Sequence, residues 1–131
     1  MRAAAKLLLR RAIGRGDENG GAGIGSGAGG KCGTITISSG SVGDKNWTDN
    51  SARGAGGAAG IGCGKGGSCG TISIGAGITC VSAVMNNGYY SSDYSCIGGK
   101  DPDTMTAVSV EVANNLSDSG EGGTYRIIER E

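Results

Sequence analysis

Histidine and phenylalanine are absent from this 131-residue chain, and proline and tryptophan occur once each. Without His there is no Ser-His-Asp or Cys-His catalytic pair, and no His-containing zinc site. No apolar run approaches the roughly 20 residues of a membrane-spanning helix. Net charge is missing as well: 12 basic residues balance 12 acidic ones. That argues against broad nucleic-acid binding, which needs many phosphate-neutralising cations. Leu, Ile, Val and Phe together supply only 21 of 131 residues, below the roughly 20% at which disorder becomes an alternative. Disorder ordinarily also needs a high net charge. What abounds is Gly, at 29 of 131 residues. The chain is either a flexible Gly-rich polymer or one regular domain that uses its glycines at fixed positions.

Self-similarity decides between these. Residues 22–37 read AGIGSGAGGKCGTITI and residues 59–74 read AGIGCGKGGSCGTISI. They match at 12 of 16 positions without a gap, at an offset of 37. A decayed third copy follows at an offset of 36. Cys96-Ile97-Gly98-Gly99 falls where Gly60-Ile61-Gly62-Cys63 recurs, and Ala107-Val108-Ser109-Val110 where Thr71-Ile72-Ser73-Ile74 does. Met105 stands in place of the second Cys, and Asp101-Pro102-Asp103 in place of the Gly-rich link. Ala12-Ile13-Gly14-Arg15-Gly16 resembles the leading half of a further copy.

Each copy carries a strand code. Thr34-Ile35-Thr36-Ile37 alternates polar and apolar with β-branched residues throughout, the pattern of a half-buried strand. A second short strand is expected at Ser41-Val42 and at Thr79–Val84, and the AGIG element supplies a third. Repeats of this kind bury a core only by stacking on one another. The expected fold is all-β: a right-handed parallel β-helix, or β-solenoid, of about three turns over residues 12–116. Its ladder comprises Ile24, Ile61 and Ile97; Cys32 and Cys69; Ile35, Ile72 and Val108; and Ile37, Ile74 and Val110. Loops at Gly43–Gly57 and Asn86–Tyr94 should protrude.

The flanks read differently. Residues 1–11 (MRAAAKLLLRR) hold strong helix formers and four cations without an acid, so a short basic helix or disordered extension is expected. Leu7-Leu8-Leu9 is too short for a secretory apolar region. Residues 117–131 should form a polar turn, SDSGEGG, then a short strand, TYRII, and a solvated tail.

At this point the pattern AGIGxGxGGxCGTITI, with Gly77-Ile78-Thr79-Cys80-Val81 and Tyr94-Ser95-Cys96-Ile97-Gly98-Gly99 in that order, resembles the Gly-rich repeats of large surface proteins from gut bacteria. The resemblance covers roughly residues 12–125. It implies a β-helical, adhesin-like or carbohydrate-binding-like segment at a cell surface or outside the cell, not an enzyme.

Several side chains invite a chemical role. The five cysteines, Cys32, Cys63, Cys69, Cys80 and Cys96, cannot all pair within the chain. Cys32 and Cys69 are repeat-equivalent and expected to stack as small buried side chains; one or two disulfides is the alternative. Cys63 and Cys69 lack a zinc spacing. Trp47, Tyr89, Tyr90 and Tyr94 lie in or beside the loops, where rings can stack on sugar faces or pack onto the flank; they are the candidate glycan-binding residues. The Thr34/Thr36 and Thr71/Ser73 rows resemble an ice-binding ladder in miniature, or ordinary alternation. Arg15-Gly16-Asp17 is an integrin-type tripeptide. Asn46-Trp47-Thr48 and Asn115-Leu116-Ser117 are glycosylation sequons. The acids lack the repeat pattern of a calcium β-roll.

The expectation is a non-enzymatic module in adhesion or glycan contact, without cofactor or metal. Its partners would be glycans or a host surface, with self-association through the ends of the stack. The alternative is a structural spacer or fibre segment, including a viral fibre. A carbohydrate-active β-helix enzyme is disfavoured, because the repeat strands present Thr, Ser and Ala outward with Glu111 as the single acid, not paired carboxylates.

Overall fold

The computed structural model describes residues 8–9, 12–13, 21–27, 29–54, 58–64, 66–84, 96–98, 108–121 and 125–131. These residues are all-β, with no helix among them. The strands, in chain order, are β1 (Leu8–Leu9), β2 (Ala12–Ile13), β3 (Ile24–Gly25), β4 (Lys31–Cys32), β5 (Ile35–Val42), β6 (Ala52–Arg53) and β7 (Ile61–Gly62). They continue with β8 (Ser68–Cys69), β9 (Ile72–Val84), β10 (Ile97–Gly98), β11 (Val110–Val112), β12 (Leu116–Glu121) and β13 (Tyr125–Arg130). Three sheets result: a mixed sheet built around β5 and β9, the three-stranded β10-β7-β3, and the pair β4-β8.

Copies of the repeat lie side by side. Ile24 and Ile97 flank Ile61 in parallel register. Cys32 pairs with Cys69, and Ile35 and Ile37 pair with Ile72 and Ile74. The hydrogen bonds repeat along with the residues. Ile24 N donates to Gly60 O at 3.0 Å and Ile61 N to Cys96 O at 3.0 Å; Ile35 N donates to Thr71 O at 3.0 Å and Ile72 N to Ser109 O at 2.9 Å. The Gly-rich links form equivalent turns, closed by Gly30 N to Gly27 O at 3.0 Å and Gly67 N to Gly64 O at 2.9 Å. Identical residues in identical bonds are how a short motif builds a regular sheet with little apolar mass.

One glycine column explains part of the Gly content. Gly25, Gly62 and Gly98 have φ of 134°, 132° and 120°, which disfavours any residue with a Cβ. They also lie in register. A Cβ on Gly25 would overlap the Gly62 carbonyl oxygen, and one on Gly62 would overlap that of Gly98. The neighbouring backbones approach as closely as they do because no side chain intervenes.

The core runs through the centre of the stack. Ile61, Ile72, Ile74, Ile78, Val81, Ala83 and Ile97 are buried, with Val42, Ala52, Leu116 and Ile128 packed around them. Burying an Ile or Val side chain contributes about 1.5–3 kcal/mol, so a few such residues carry much of the stability.

The structure corrects several expectations. The expected N-terminal helix is absent at Leu8–Leu9, which is strand β1 and pairs in parallel with Ser41–Val42. Pairing along the edge of Ser41–Val42 outweighs the helical preference of Leu, which is worth only tenths of a kcal/mol per residue, on the order of 0.5. The leading fragment Ala12–Ile13 pairs with Ala52–Arg53 and not with the AGIG column. The second strand of each copy is continuous with the first: β5 and β9 each run through both, with register shifts between Ile37 and Ser39 and between Gly40 and Ser41. Bulges at the Ser- and Gly-rich segments let one strand bend where two were expected. The loop expected to span Gly43–Gly57 is interrupted by β6, which pairs with Ala83–Val84.

The third copy slips. Val110 and Val112, rather than Val108 and Val110, lie opposite Ile72 and Ile74. Its link is two residues longer between Gly98 and Val110 than between Gly62 and Ile72. A slip of two keeps the apolar face inward, whereas a slip of one would reverse it. Val108 remains partly buried against the core just before the strand.

The C-terminal segment departs from the parallel pattern. SDSGE is not a turn; it forms most of β12, which pairs antiparallel with β13. Strand β13 in turn lies antiparallel along β9, from Tyr125 opposite Val84 to Glu129 opposite Cys80. Arg126 stitches the hairpin with a two-pronged contact to Asp118, at 2.9 and 2.7 Å. That hydrogen-bonded carboxylate raises the Arg126 pKa further.

Candidate functional site

Residues 43–53 form the best-defined protrusion among the described residues. The chain leaves β5 at Gly43, whose φ is 67° and where a Cβ would overlap Asn50 O and Ser82 Oγ. It returns through Ser51 into β6. The Asp44 carboxylate accepts from the backbone N of Asn46 at 2.8 Å and from Asn50 Nδ2 at 3.0 Å. Asn46 Nδ2 donates to Asp49 Oδ2 at 3.1 Å. Asn50 N donates to Asn46 O at 2.8 Å, and Asp44 N to Asn50 O at 3.1 Å. From beneath, the buried Ser82 hydroxyl donates to Asn50 O at 2.9 Å. The short Asx side chains satisfy backbone groups that a loop would otherwise leave to water.

Arg53 holds the outer part. Its Nη2 donates to the carbonyl oxygen of Trp47 at 3.1 Å and to that of Thr48. The indole of Trp47 lies on the Tyr125 ring of β13, with centroids 4.6 Å apart and planes 12° from parallel. One face of Trp47 is therefore occupied, and the residue is partly buried. Around it Asp44, Lys45, Asn46, Thr48 and Asp49 are exposed. Lys45 Nζ stands 3.7 Å from Glu129 Oε2; this pair is exposed on the Lys side and holds weakly. The chemistry on display is one aromatic platform ringed by amide, hydroxyl and carboxylate groups, a combination suited to hydrogen-bonding and stacking.

Of the aromatic residues singled out in sequence, Trp47 is here; Tyr89, Tyr90 and Tyr94 lie outside the described residues, as does Arg15-Gly16-Asp17. Sequence reasoning missed Tyr125 and Arg53. Tyr125 sits 78 positions from Trp47 with no local signal linking them. Arg53 has one: a single cation that follows an Asx-rich loop and enters a strand. The sequon residues Asn46 and Asn115 are exposed, but both amides are engaged, Asn115 Nδ2 with Ala76 O at 3.3 Å.

The cysteines divide. Cys32 and Cys69 form a disulfide across adjacent parallel strands, with Cα atoms 4.7 Å apart; the alternative of a bond, not an unbonded stack, holds for this pair. Cys63, Cys80 and Cys96 are buried outside it. Burial, then the nearby Glu129 and Asp44 carboxylates, push the Cys80 thiol up to about 11. A thiol so held is a packing group, not a nucleophile. No group of three or more His, Cys, Asp or Glu residues in a metal-holding arrangement occurs among the described residues. The outward row reads Thr36, Ser73 and Glu111, so the hydroxyl ladder is interrupted in its third position by a carboxylate.

Comparison with known proteins returns no match to any family model, to any curated protein or to any solved structure. No helix among the described residues is long and apolar enough to cross a membrane.

Proposed function

We propose that the chain is a non-enzymatic β-solenoid module of a cell-surface or extracellular protein, in which stacked repeats carry a rigid loop for contact with carbohydrate. The single observation behind the contact is Trp47. It is the chain's one tryptophan, backed by Tyr125 and held by Arg53 through two backbone carbonyls. A platform fixed in advance loses little entropy on binding a sugar face, and the surrounding Asn, Asp and Thr groups match sugar hydroxyls. The parallel, in-register copies support the solenoid. The Cys32–Cys69 bond supports an oxidising compartment.

A glycan array followed by calorimetric titration tests this. The expected outcome is saturable binding of at least one neutral oligosaccharide, abolished in Trp47→Ala with the fold intact by circular dichroism. A second reading is favoured by the Trp47–Tyr125 stack itself, which fastens the loop to the closing hairpin: the module is a structural spacer. Absence of any glycan-dependent change, together with a large loss of stability in Trp47→Ala, would establish that reading instead.

A further inference from the structure

We infer that the C-terminal hairpin β12–β13 and the loop 43–53 form and open as one unit, so that docking of the hairpin assembles the Trp47 platform and its release dismantles it. Side chains of β13 alternate between two faces. Arg126 and Ile128 share one face, and Ile128 belongs to the main core. Tyr125, Ile127 and Glu129 share the other, paired with Val84, Ser82 and Cys80 of β9. On that second face Cys80, Val84 and Ile127 are buried at 7%, 9% and 9% exposure, yet none of them belongs to the main core. They make up a small layer of their own on the reverse of the sheet, with the fully buried Ser82 among them.

Loop 43–53 is fastened to this reverse face at three points, two of them on β13. Trp47 stacks on Tyr125 at one end of the strand. Lys45 Nζ stands 3.7 Å from Glu129 Oε2 toward the other. Between them Ser82, the β9 residue paired with Ile127, donates its hydroxyl to Asn50 O at 2.9 Å. Undocking β13 therefore withdraws the Tyr125 ring, the Glu129 carboxylate and the Ile127 side chain together. The indole loses its backing and the loop loses two of its three anchors.

The topology lets the hairpin leave by itself. Among the described residues no pairing of one repeat with another passes through β12 or β13; β13 meets only β9 and β12. A terminal hairpin added antiparallel to a parallel stack can open while the stack holds, in the manner of a sub-global unfolding unit. As regulation of a binding site this rests on the carbohydrate reading above. The coupling itself belongs to the chain alone and is measured without sugar.

The test is residue-resolved hydrogen exchange of the oxidised chain in increasing urea. It is read at β13 and at Asp44 and Asn50, whose amides donate within the loop. The expected result is one shared isotherm for loop and hairpin, opening before Ile61 and Ile72, whose amides donate toward the third repeat. The variant is Asp118→Ala. Asp118 holds Arg126 by the two-pronged contact and pairs with Ile128, on the face turned from the loop. Its loss should speed exchange at β13 about threefold, as for a partly exposed ion pair, and at Asp44 and Asn50 by the same factor. Coupling is reciprocal, so Trp47→Ala should in turn speed exchange at β13. Asp44 and Asn50 exchanging on an isotherm of their own while β13 stays protected overturns the inference. So does Asp118→Ala loosening β13 with the loop amides unmoved. Either result would make the loop self-standing and leave glycan binding possible. A blank glycan array beside a shared isotherm would instead remove the carbohydrate reading and keep the coupling.

Discussion

Ile35 and Ile72 occupy the same place in two nearly identical stretches, yet one is half-covered and the other sealed at 0% exposure. The same holds for Ile37 against Ile74 and for Ile24 against Ile61. Local sequence is therefore not what buries these side chains. Each repeat presents a face, and its neighbours decide what that face contributes. The first repeat supplies cover to the second and receives little; the second receives it from both sides. Stability in such a stack is carried mostly by contacts between repeats, not within them.

The widest separation between equivalent-looking positions is expected at the glycines. Gly62→Ala places a Cβ onto the Gly98 carbonyl at a φ of 132°; the cooperative thermal transition should be lost. Gly29→Ala, at a φ of 66° with open space around it, should cost only about 1–2 kcal/mol from the left-handed backbone. Equal effects would mean that the glycine column is not a packing requirement. Next comes the covalent tie between repeats. Cys32 and Cys69 close a loop with a sequence separation of 37, for which chain entropy gives about 4 kcal/mol. Reduction, or the double change to Ser, should shift the denaturation midpoint accordingly. A smaller shift for one repeat alone, seen by residue-resolved hydrogen exchange, would place the bond's effect on the first repeat.

The direct comparison is Ile72→Ala against Ile35→Ala. The first should cost about 2–5 kcal/mol as a buried truncation. The second should cost about half as much in the monomer, measured by urea denaturation at low protein concentration. The last is a pH effect at Cys80. Its pKa of about 11 in the folded chain lies above the ordinary 9.0, so the unfolded chain releases this proton first as pH rises. The thiol's contribution to stability is whole below pH 9 and lost between pH 9 and about 11. At pH 9 native Cys80 should alkylate on the order of fifty times more slowly than in the unfolded chain, since the thiolate is the reactive form.

What the sequence made legible was whatever repeats. The Ile columns, the Gly-rich turns and the Cys32–Cys69 neighbours follow from 12 matches in 16 positions, because a repeated motif that folds repeats its bonds. The local alternation located the strands at Ile35 and Ile72. The parts that were not legible depend on contacts between distant segments. Leu8–Leu9 looks helical by composition, and only the edge of Ser41–Val42 makes it a strand. Ser117, Asp118, Ser119 and Gly120 have the composition of a turn, and become strand by pairing across to β13. The two-residue slip of Val110 depends on the length of a link, not on the strand residues themselves. Trp47 was recognisable as a loop aromatic; its partner Tyr125 was not, since nothing in either neighbourhood encodes the other.

The disulfide has a consequence under mechanical load. A protein anchored at one end and holding a ligand elsewhere is pulled along its chain, and a stack of strands yields by peeling. The Cys32–Cys69 bond routes tension past the residues between those two positions. A separation of 37 residues corresponds to roughly 130 Å of extended chain at about 3.5 Å per residue. Oxidised, the chain withholds that length when stretched; reduced, it releases it, so in the surface role proposed above the thiol chemistry of the surroundings would set its reach.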